Sequence, residues 1–385
     1  MLRRVSAWPP SAIFRGGPTP TSDQVEASIR VGLVGYGLAG AFFHAPLIRT
    51  TTRLKLAAIV TSNSGRAIEA RRMHPEAVVF ATASELWDFA SNLDMIVVAT
   101  PNRTHVPLAS AALSAGLHVV VDKPFAPTAA EGRQLIEHAR SCGRMVTVFH
   151  NRRWDGDFLT VRRILREGAL GDPFRFESRF ERWRPVPKPG WRERGGPEEA
   201  GGILYDLGSH LIDQALVLFG PVVDVFAELD RRRSSVEVDD DAFVALTHAS
   251  GVRSHLSMSA LSAQAGPRFR LLGNRAAYVK HGYDVQEAAL RGGAQPDNSH
   301  WGEEPRAAWG LLGRDDDLQP VPTEQGAYQD FYESIVAAIT SGGQPPVDPH
   351  DAVSGLEIIE AARKSAFERR VVTLPVHSAS RVNDS

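Results

Sequence analysis

Cysteine is almost missing: Cys142 is the only one among 385 residues. No disulfide can form within the chain, and nothing in its thiol content points to secretion. A lone Cys can act as a nucleophile, but Ser141-Cys142-Gly143 reads as a helix-ending turn, where an inert or buried thiol is expected. Also missing is any apolar run near the length of a membrane span. Neither sign of charge dominates, with 43 Lys and Arg against 45 Asp and Glu. That balance exerts no pull toward nucleic acid or an acidic membrane. No His-Glu-x-x-His and no Cys cluster is present to build a metal centre. What remains is ordinary globular composition, 43% hydrophobic and 23% charged, in a chain long enough for two domains. The cytoplasm is the expected compartment.

Residues 1–28 stand apart. They carry Arg3-Arg4, Trp8-Pro9-Pro10 and Gly16-Gly17-Pro18 without a regular period, and no apolar stretch follows the twin Arg to make an export signal. A disordered extension is expected there, or a start codon placed too early, and residues 377–385 are expected to be a tail.

From Ile29 a short apolar run ends in Gly35-Tyr36-Gly37-Leu38-Ala39-Gly40 and passes into a stretch that can open a helix. Gly35 permits a tight turn, Gly37 lets backbone approach a pyrophosphate, and Gly40 lets helix pack close to strand. The diphosphate would rest on free N–H groups at a helix N-terminus. A Gly-rich turn is the plain alternative, but strand before and helix after are the context a dinucleotide site requires.

Strands and helices then alternate. Strands are expected at Leu54–Val60, Ala77–Phe80, Asp94–Thr100, His118–Val121 and Met145–Phe149. Helices are expected at Gly65–Met73, from a Ser84 cap to Phe89, at His105–Ala115 and at Thr128–Ser141. This is a doubly wound parallel sheet over residues 29–150. After His150 the character changes to β runs at Phe174–Arg184, Val222–Leu229, Ala242–His248, Val252–Ala260 and Phe269–Leu272, with an amphipathic helix at Ile203–Phe219. A second α/β domain over 151–376 is expected, built on a large, mostly antiparallel open sheet. Residues 291–325, rich in Gly, Pro and Asp, are expected to be a long loop.

The end of the second strand chooses between cofactors: a carboxylate there binds a ribose 2′-OH, and its absence with a nearby Arg admits a 2′-phosphate. Here stand Thr61, Ser62, Asn63 and Arg66, with no carboxylate before Glu69. This favours NADP over NAD, a plain polar surface loop being the other reading. Lys123 follows the fifth strand directly, at the carboxyl edge where ligands bind in open α/β sheets. An ammonium there can hold a substrate hydroxyl and stabilise its alkoxide, or it is a solvated loop charge. Asp206 and His210 are four apart on one helical face. The imidazole can take an alcohol proton while the carboxylate holds its tautomer; a helical ion pair or half a metal site are the alternatives, and Asp213 alone does not complete a ligand set.

Taken in order, Gly35-x-Gly37-x-x-Gly40, Ala99-Thr100-Pro101-Asn102 with His105, Asp122-Lys123-Pro124, and Gly201-Gly202 leading to Asp206 and His210 resemble the Gfo/Idh/MocA oxidoreductase family. The likeness runs from about Ile29 to Leu374. Phe43-His44-Ala45-Pro46, Asn151-Arg152-Arg153-Trp154-Asp155 and Asp206 to Gln214 resemble its NADP-dependent scyllo-inositol dehydrogenase branch in particular. The resemblance implies NAD(P)-dependent hydride transfer at a sugar or cyclitol carbon. It makes Lys123, Asp206 and His210 the catalytic group. It puts Gly35, Gly37, Leu38, Ala39, Gly40, Thr100, Pro101, Asn102 and His105 along the cofactor, with Lys123 on both the nicotinamide ribose and the substrate hydroxyl, and Asn151, Arg152 and Trp154 near substrate. It also implies a homodimer or homotetramer formed through the second sheet. Two departures are Asp122 for the common Glu and Ala200 for the first of three glycines. An aldose, keto-sugar or dihydrodiol dehydrogenase, a redox-assisted glycosidase and a non-catalytic dinucleotide sensor are the rival activities.

Overall fold

The computed structural model describes residues 28–187, 193, 195, 199–234, 236–297 and 299–375. The expected N-terminal extension (Ser28 apart) and the tail lie outside them. The first sheet comprises β1 (Ile29–Val34), β2 (Leu54–Val60), β3 (Val78–Phe80), β4 (Met95–Val98), β5 (His118–Asp122) and β6 (Val146–Phe149). Its spatial order is β3-β2-β1-β4-β5-β6, every pairing parallel. All four residues of β4 are fully buried because the strand is central and covered on both faces. The covering helices are α1 (Ala45–Thr50), α2 (Ser64–Met73), α3 (Ala83–Asp88), α4 (His105–Ser114) and α5 (Ala129–Ser141). Connections leave β1 and β4 in opposite directions, which opens a crevice at the carboxyl ends of those neighbours.

Asn63 caps α2 and Thr128 caps α5. The cap of α3 is Thr82, not the expected Ser84. Thr82 is followed three residues later by Glu85, whose Oε2 accepts from the Thr82 amide while Thr82 Oγ accepts from Glu85 N. Ser84 has Trp87 in that place and can close no such box.

The second sheet follows α6 (Gly156–Arg166) and contains β7 (Pro173–Glu181), β8 (Val222–Asp230), β9 (Asp241–His248), β10 (Arg253–Ser259), β11 (Phe269–Gly273), β12 (Ala277–Lys280), β13 (Gly310–Arg314), β14 (Asp317–Val321) and β15 (Val372–Thr373). Its order is β14-β13-β12-β11-β7-β10-β9-β8-β15. Only β7 and β10 pair in parallel; the other neighbours are antiparallel. Along β9, Ala242, Val244, Leu246 and His248 are buried and their neighbours are half-exposed, so one face is packed and one is not. The packed face carries α7 (Ser209–Phe219) and α10 (Pro349–Glu368), and α10 also reaches α5 across the junction with the first sheet. The remaining helices are α8 (Gln286–Arg291) and α9 (Gln329–Ser341). Among the described residues no helix is long and apolar enough to cross a membrane.

Two further expectations need correction. Residues 291–325 are not one loop: β13 and β14 form a hairpin inside them and extend the sheet. Its strands are short, hold glycine at Gly310 and Gly313 and proline at Pro320, and turn at Asp315 with positive φ. Composition therefore hid a hairpin whose pairing depends on β12 beside it. The expected helix Ile203–Phe219 is also not uniform. It opens with a π turn at Leu204–Gly208, and only then becomes α7.

A candidate active site between the two sheets

The glycine loop is closed on two sides and open on the third. Gly35 has φ +101°, and a Cβ there would lie 2.4 Å from the carbonyl oxygen of Ala99. A Cβ on Gly40 would lie 2.0 Å from the Gly35 carbonyl oxygen. Both positions exclude any side chain. Gly37 instead faces space, the nearest atom to its would-be Cβ being Arg66 Nη1 at 3.7 Å. A backbone cradle with an exposed guanidinium at its edge fits a dinucleotide. Thr61 follows β2 and is buried, whereas Ser62, Asn63 and Arg66 are exposed. Asn63 Oδ1 accepts from the Arg66 amide at 3.0 Å, so the cap of α2 also fixes the start of the turn that carries the arginine.

Past this loop opens a cleft of about 410 Å³. Leu38, Ala39 and Lys123 line it from the first domain, and Asn151, Arg152, Asp206 and His210 from the second. Lys123 emerges from β5 and crosses to the π turn. Its Nζ donates to the Asp206 carbonyl oxygen at 2.5 Å and to Asp206 Oδ1 at 2.8 Å. The ammonium is largely sheltered, at 14% exposure.

His210 lines the same cleft and is 6% exposed. Its ring stands 6.4 Å from those of His150 and Phe180. Burial, with the charges of Lys123 and Arg152 adding to it, holds its pKa well below the ordinary histidine value. The imidazole is therefore neutral at neutral pH and ready to accept a proton. The expected Asp206 brace is not what holds it: His210 Nδ1 is buried without a hydrogen-bond partner. The physical reason is the π turn, whose wider winding offsets residues four apart, so that Asp206 is directed to Lys123.

Other expected site residues separate into those that face the cleft and those that do not. Asn102 is buried and donates from Nδ2 to the Ala200 carbonyl at 3.0 Å, tying the two sides together. Thr100 Oγ accepts from Thr104 Oγ at 2.7 Å, and Pro101 leads into the turn that precedes α4. His105 was expected along the cofactor but is fully buried. Its Nδ1 lies 2.8 Å from the Pro124 carbonyl and its Nε2 3.0 Å from the Thr100 carbonyl, so it braces the two loops from behind. Trp154 does not reach the cleft either; its ring packs edge-on against Phe331 at 5.5 Å. Arg152 is bound by Glu287, by Tyr328 Oη at 3.3 Å and by Asp155 at 3.4 Å.

Sequence reading missed Arg182, Arg184 and Glu287, which line this cleft. Arginines on either side of Trp183 at the end of an expected strand are the legible trace of the first two. Glu287 sits on α8, inside a stretch whose short apolar pattern did not stand out.

Known proteins resemble the chain over most of its length. Residues 29–150 match the family model for an oxidoreductase family with an NAD-binding Rossmann fold, and residues 158–279 match the model for the GFO/IDH/MocA C-terminal domain. The chain is 41% identical to the oxidoreductase YdgJ of Escherichia coli, over 90% of this chain and 99% of that one. It is 35% identical to a scyllo-inositol 2-dehydrogenase (NADP(+)) of Bacillus subtilis, over 90% and 96%. The crystal structure of the oxidoreductase yvaA from Bacillus subtilis superposes with a TM-score of 0.86 at 34% identity, covering 92% of this chain and all of the other.

Proposed function

The chain belongs to the Gfo/Idh/MocA family of NAD(P)-binding oxidoreductases, and from that premise we propose that it transfers hydride between NADP(H) and the hydroxyl or keto carbon of a cyclitol or related sugar. The observation that carries the reading is the meeting of Lys123 and His210 in one sheltered cleft beside the glycine loop. Nicotinamide, when bound, supplies the hydride acceptor or donor. Lys123, fixed by two bonds to Asp206, presents its ammonium to the substrate oxygen and stabilises the negative charge that grows there. His210, neutral through burial, takes the hydroxyl proton at Nε2, the nitrogen not closed off on the protein side, and returns it in the reverse direction. Asn151 and Arg152 bound the substrate side of the cleft.

Nicotinamide absorbance followed against a panel of inositols and aldoses, with NADP and NAD in parallel, tests this. Turnover of an inositol with NADP is the expected result. Tight NADPH binding with no absorbance change for any member would overturn it. Cofactor choice rests on Arg66. Arg66→Ala is expected to raise KM for NADP about ten- to hundred-fold, the worth of one or two charge-assisted bonds, while KM for NAD moves less than threefold; equal changes for both would remove the arginine from the 2′-phosphate. We also place a homodimer or homotetramer contact on the half-exposed face of the second sheet. Light scattering checks it: a monomer at micromolar concentration would sink that assignment.

A further inference from the structure

Beyond β7 the chain stays extended, Arg182 N donating to Ser259 O at 2.8 Å and Arg184 N to Ala260 O at 2.7 Å. Side chains two apart on extended backbone share a side. Both guanidinium groups accordingly line the cleft that holds Lys123 and His210, while Trp183 between them is 57% exposed. The other cations of the cleft are matched. Lys123 has Asp206, Arg152 and Arg291 have Glu287, and Arg233 has Asp240. Among the described residues the guanidinium groups of Arg182 and Arg184 have neither a hydrogen bond nor an ion pair.

A half-buried guanidinium without an anion is costly, and it is retained where an anion comes to it. Burial and the charge of Arg184 hold the Arg182 pKa below its ordinary value, while Asp206 and Glu287 act in the opposite sense. Arg182 lines the same cleft as the Lys123–Asp206 and Arg152–Glu287 pairs. The cofactor's own phosphates have the glycine loop and Arg66, at the ends of β1 and β2.

We propose that the substrate is an acidic polyol or sugar, whose carboxylate or phosphate is received by Arg182 and Arg184 while its carbinol lies at Lys123. This rests on the polyol-oxidoreductase reading above and narrows it to a substrate class. A planar fork suits either oxyanion, so the two sources are separated by experiment.

The test uses matched neutral and acidic compounds: glucose, glucuronate and glucose 6-phosphate, and myo-inositol with its 1-phosphate. For the full chain, Arg182→Met and Arg184→Met, kcat/KM with NADP is measured, and calorimetry follows binding of the same compounds to the NADPH-loaded protein. The acidic members are expected to be preferred about tenfold or more, the carboxylate and phosphate arms showing which oxyanion is bound. Arg182→Met is expected to narrow that preference at least tenfold, and Arg182→Lys to restore part of it. Arg184 is exposed, so its variant keeps the test valid if Arg182→Met fails to fold. Equal binding and turnover of neutral and acidic members would overturn the proposal and leave the dehydrogenase reading standing. So would a parallel loss of NADPH affinity in both variants, which would give the arginines to the cofactor. Acid-selective binding, lost in Arg182→Met but without turnover of any compound, would sustain this site and sink the dehydrogenase reading.

Discussion

Lys123→Met is expected to lower kcat/KM about a thousandfold. On the proposed mechanism the ammonium is the donor to the reacting oxygen, and removing one such donor typically costs about 10²–10³ in kcat. The change also leaves the Asp206 carboxylate without the cation it now binds at 2.8 Å. His210→Ala is expected to cost about 10²–10⁴, the usual worth of a positioned acid/base. Its signature is the pH profile. Because burial holds the His210 pKa well below 6.5, oxidation by the wild type should stay level as pH falls through 6.5, dropping only when the imidazole finally protonates. In His210→Ala that acid limb should vanish, and the residual rate should rise with pH as hydroxide becomes the competent base. His210→Ala should keep its NADPH fluorescence titration, and each variant its thermal unfolding curve within a few degrees of wild type. Retained turnover in Lys123→Met would remove the lysine from the mechanism, and an unchanged acid limb in His210→Ala would do the same for the histidine.

Acid should also weaken the fold through histidines that are buried neutral. His44 is fully buried, its Nδ1 is 2.6 Å from Tyr332 Oη, and burial lowers its pKa to about 4. In the unfolded chain it titrates near 6.5. Between those values the unfolded state binds the extra proton, so the stability this histidine contributes is full above pH 6.5 and is lost as pH falls toward 4. The span is worth roughly 3 kcal/mol. His105, His150 and His210, lowered by burial as well, act in the same direction. Asp284 and Asp330, each pushed up to about 6 mainly by burial, act oppositely. Comparing His44→Gln with wild type isolates one contribution. Chemical denaturation at pH 7.5 and pH 4.5 should show the gap between the two proteins shifting by about 2–3 kcal/mol toward the variant in acid. A gap that stays constant would show that His44 does not titrate with unfolding.

Much of this architecture is written locally. The strand β1, its glycine loop and the apolar β4 follow from short patterns, and the placement of Lys123 follows from the end of β5, because a parallel sheet sends its strand ends to one edge. What was not legible depended on distant neighbours. The β13–β14 hairpin pairs only because β12 offers an edge. The partner of Asp206 was misread because helical spacing assumes uniform winding, and Leu204–Gly208 is wound wider. His105 and Trp154 carry polar and aromatic side chains that suit a site, yet packing turned one behind the loops and the other onto Phe331. Arg182 and Arg184 went unnoticed since a charged residue at a strand end is usually solvated, and only the cleft that both line sets them apart.

The bond between Lys123 and Asp206 joins residues 83 apart in the chain. During synthesis, a ribosome that has released β6 has already delivered the glycine loop and the lysine, but neither Asp206 nor His210. At about 5–20 residues per second, the rest arrives several seconds later. On the proposed mechanism, no half-made chain therefore holds the complete proton-handling set, although its glycine loop and lysine are already made. On that reading the order of assembly, as much as the geometry, keeps hydride transfer waiting for the second sheet.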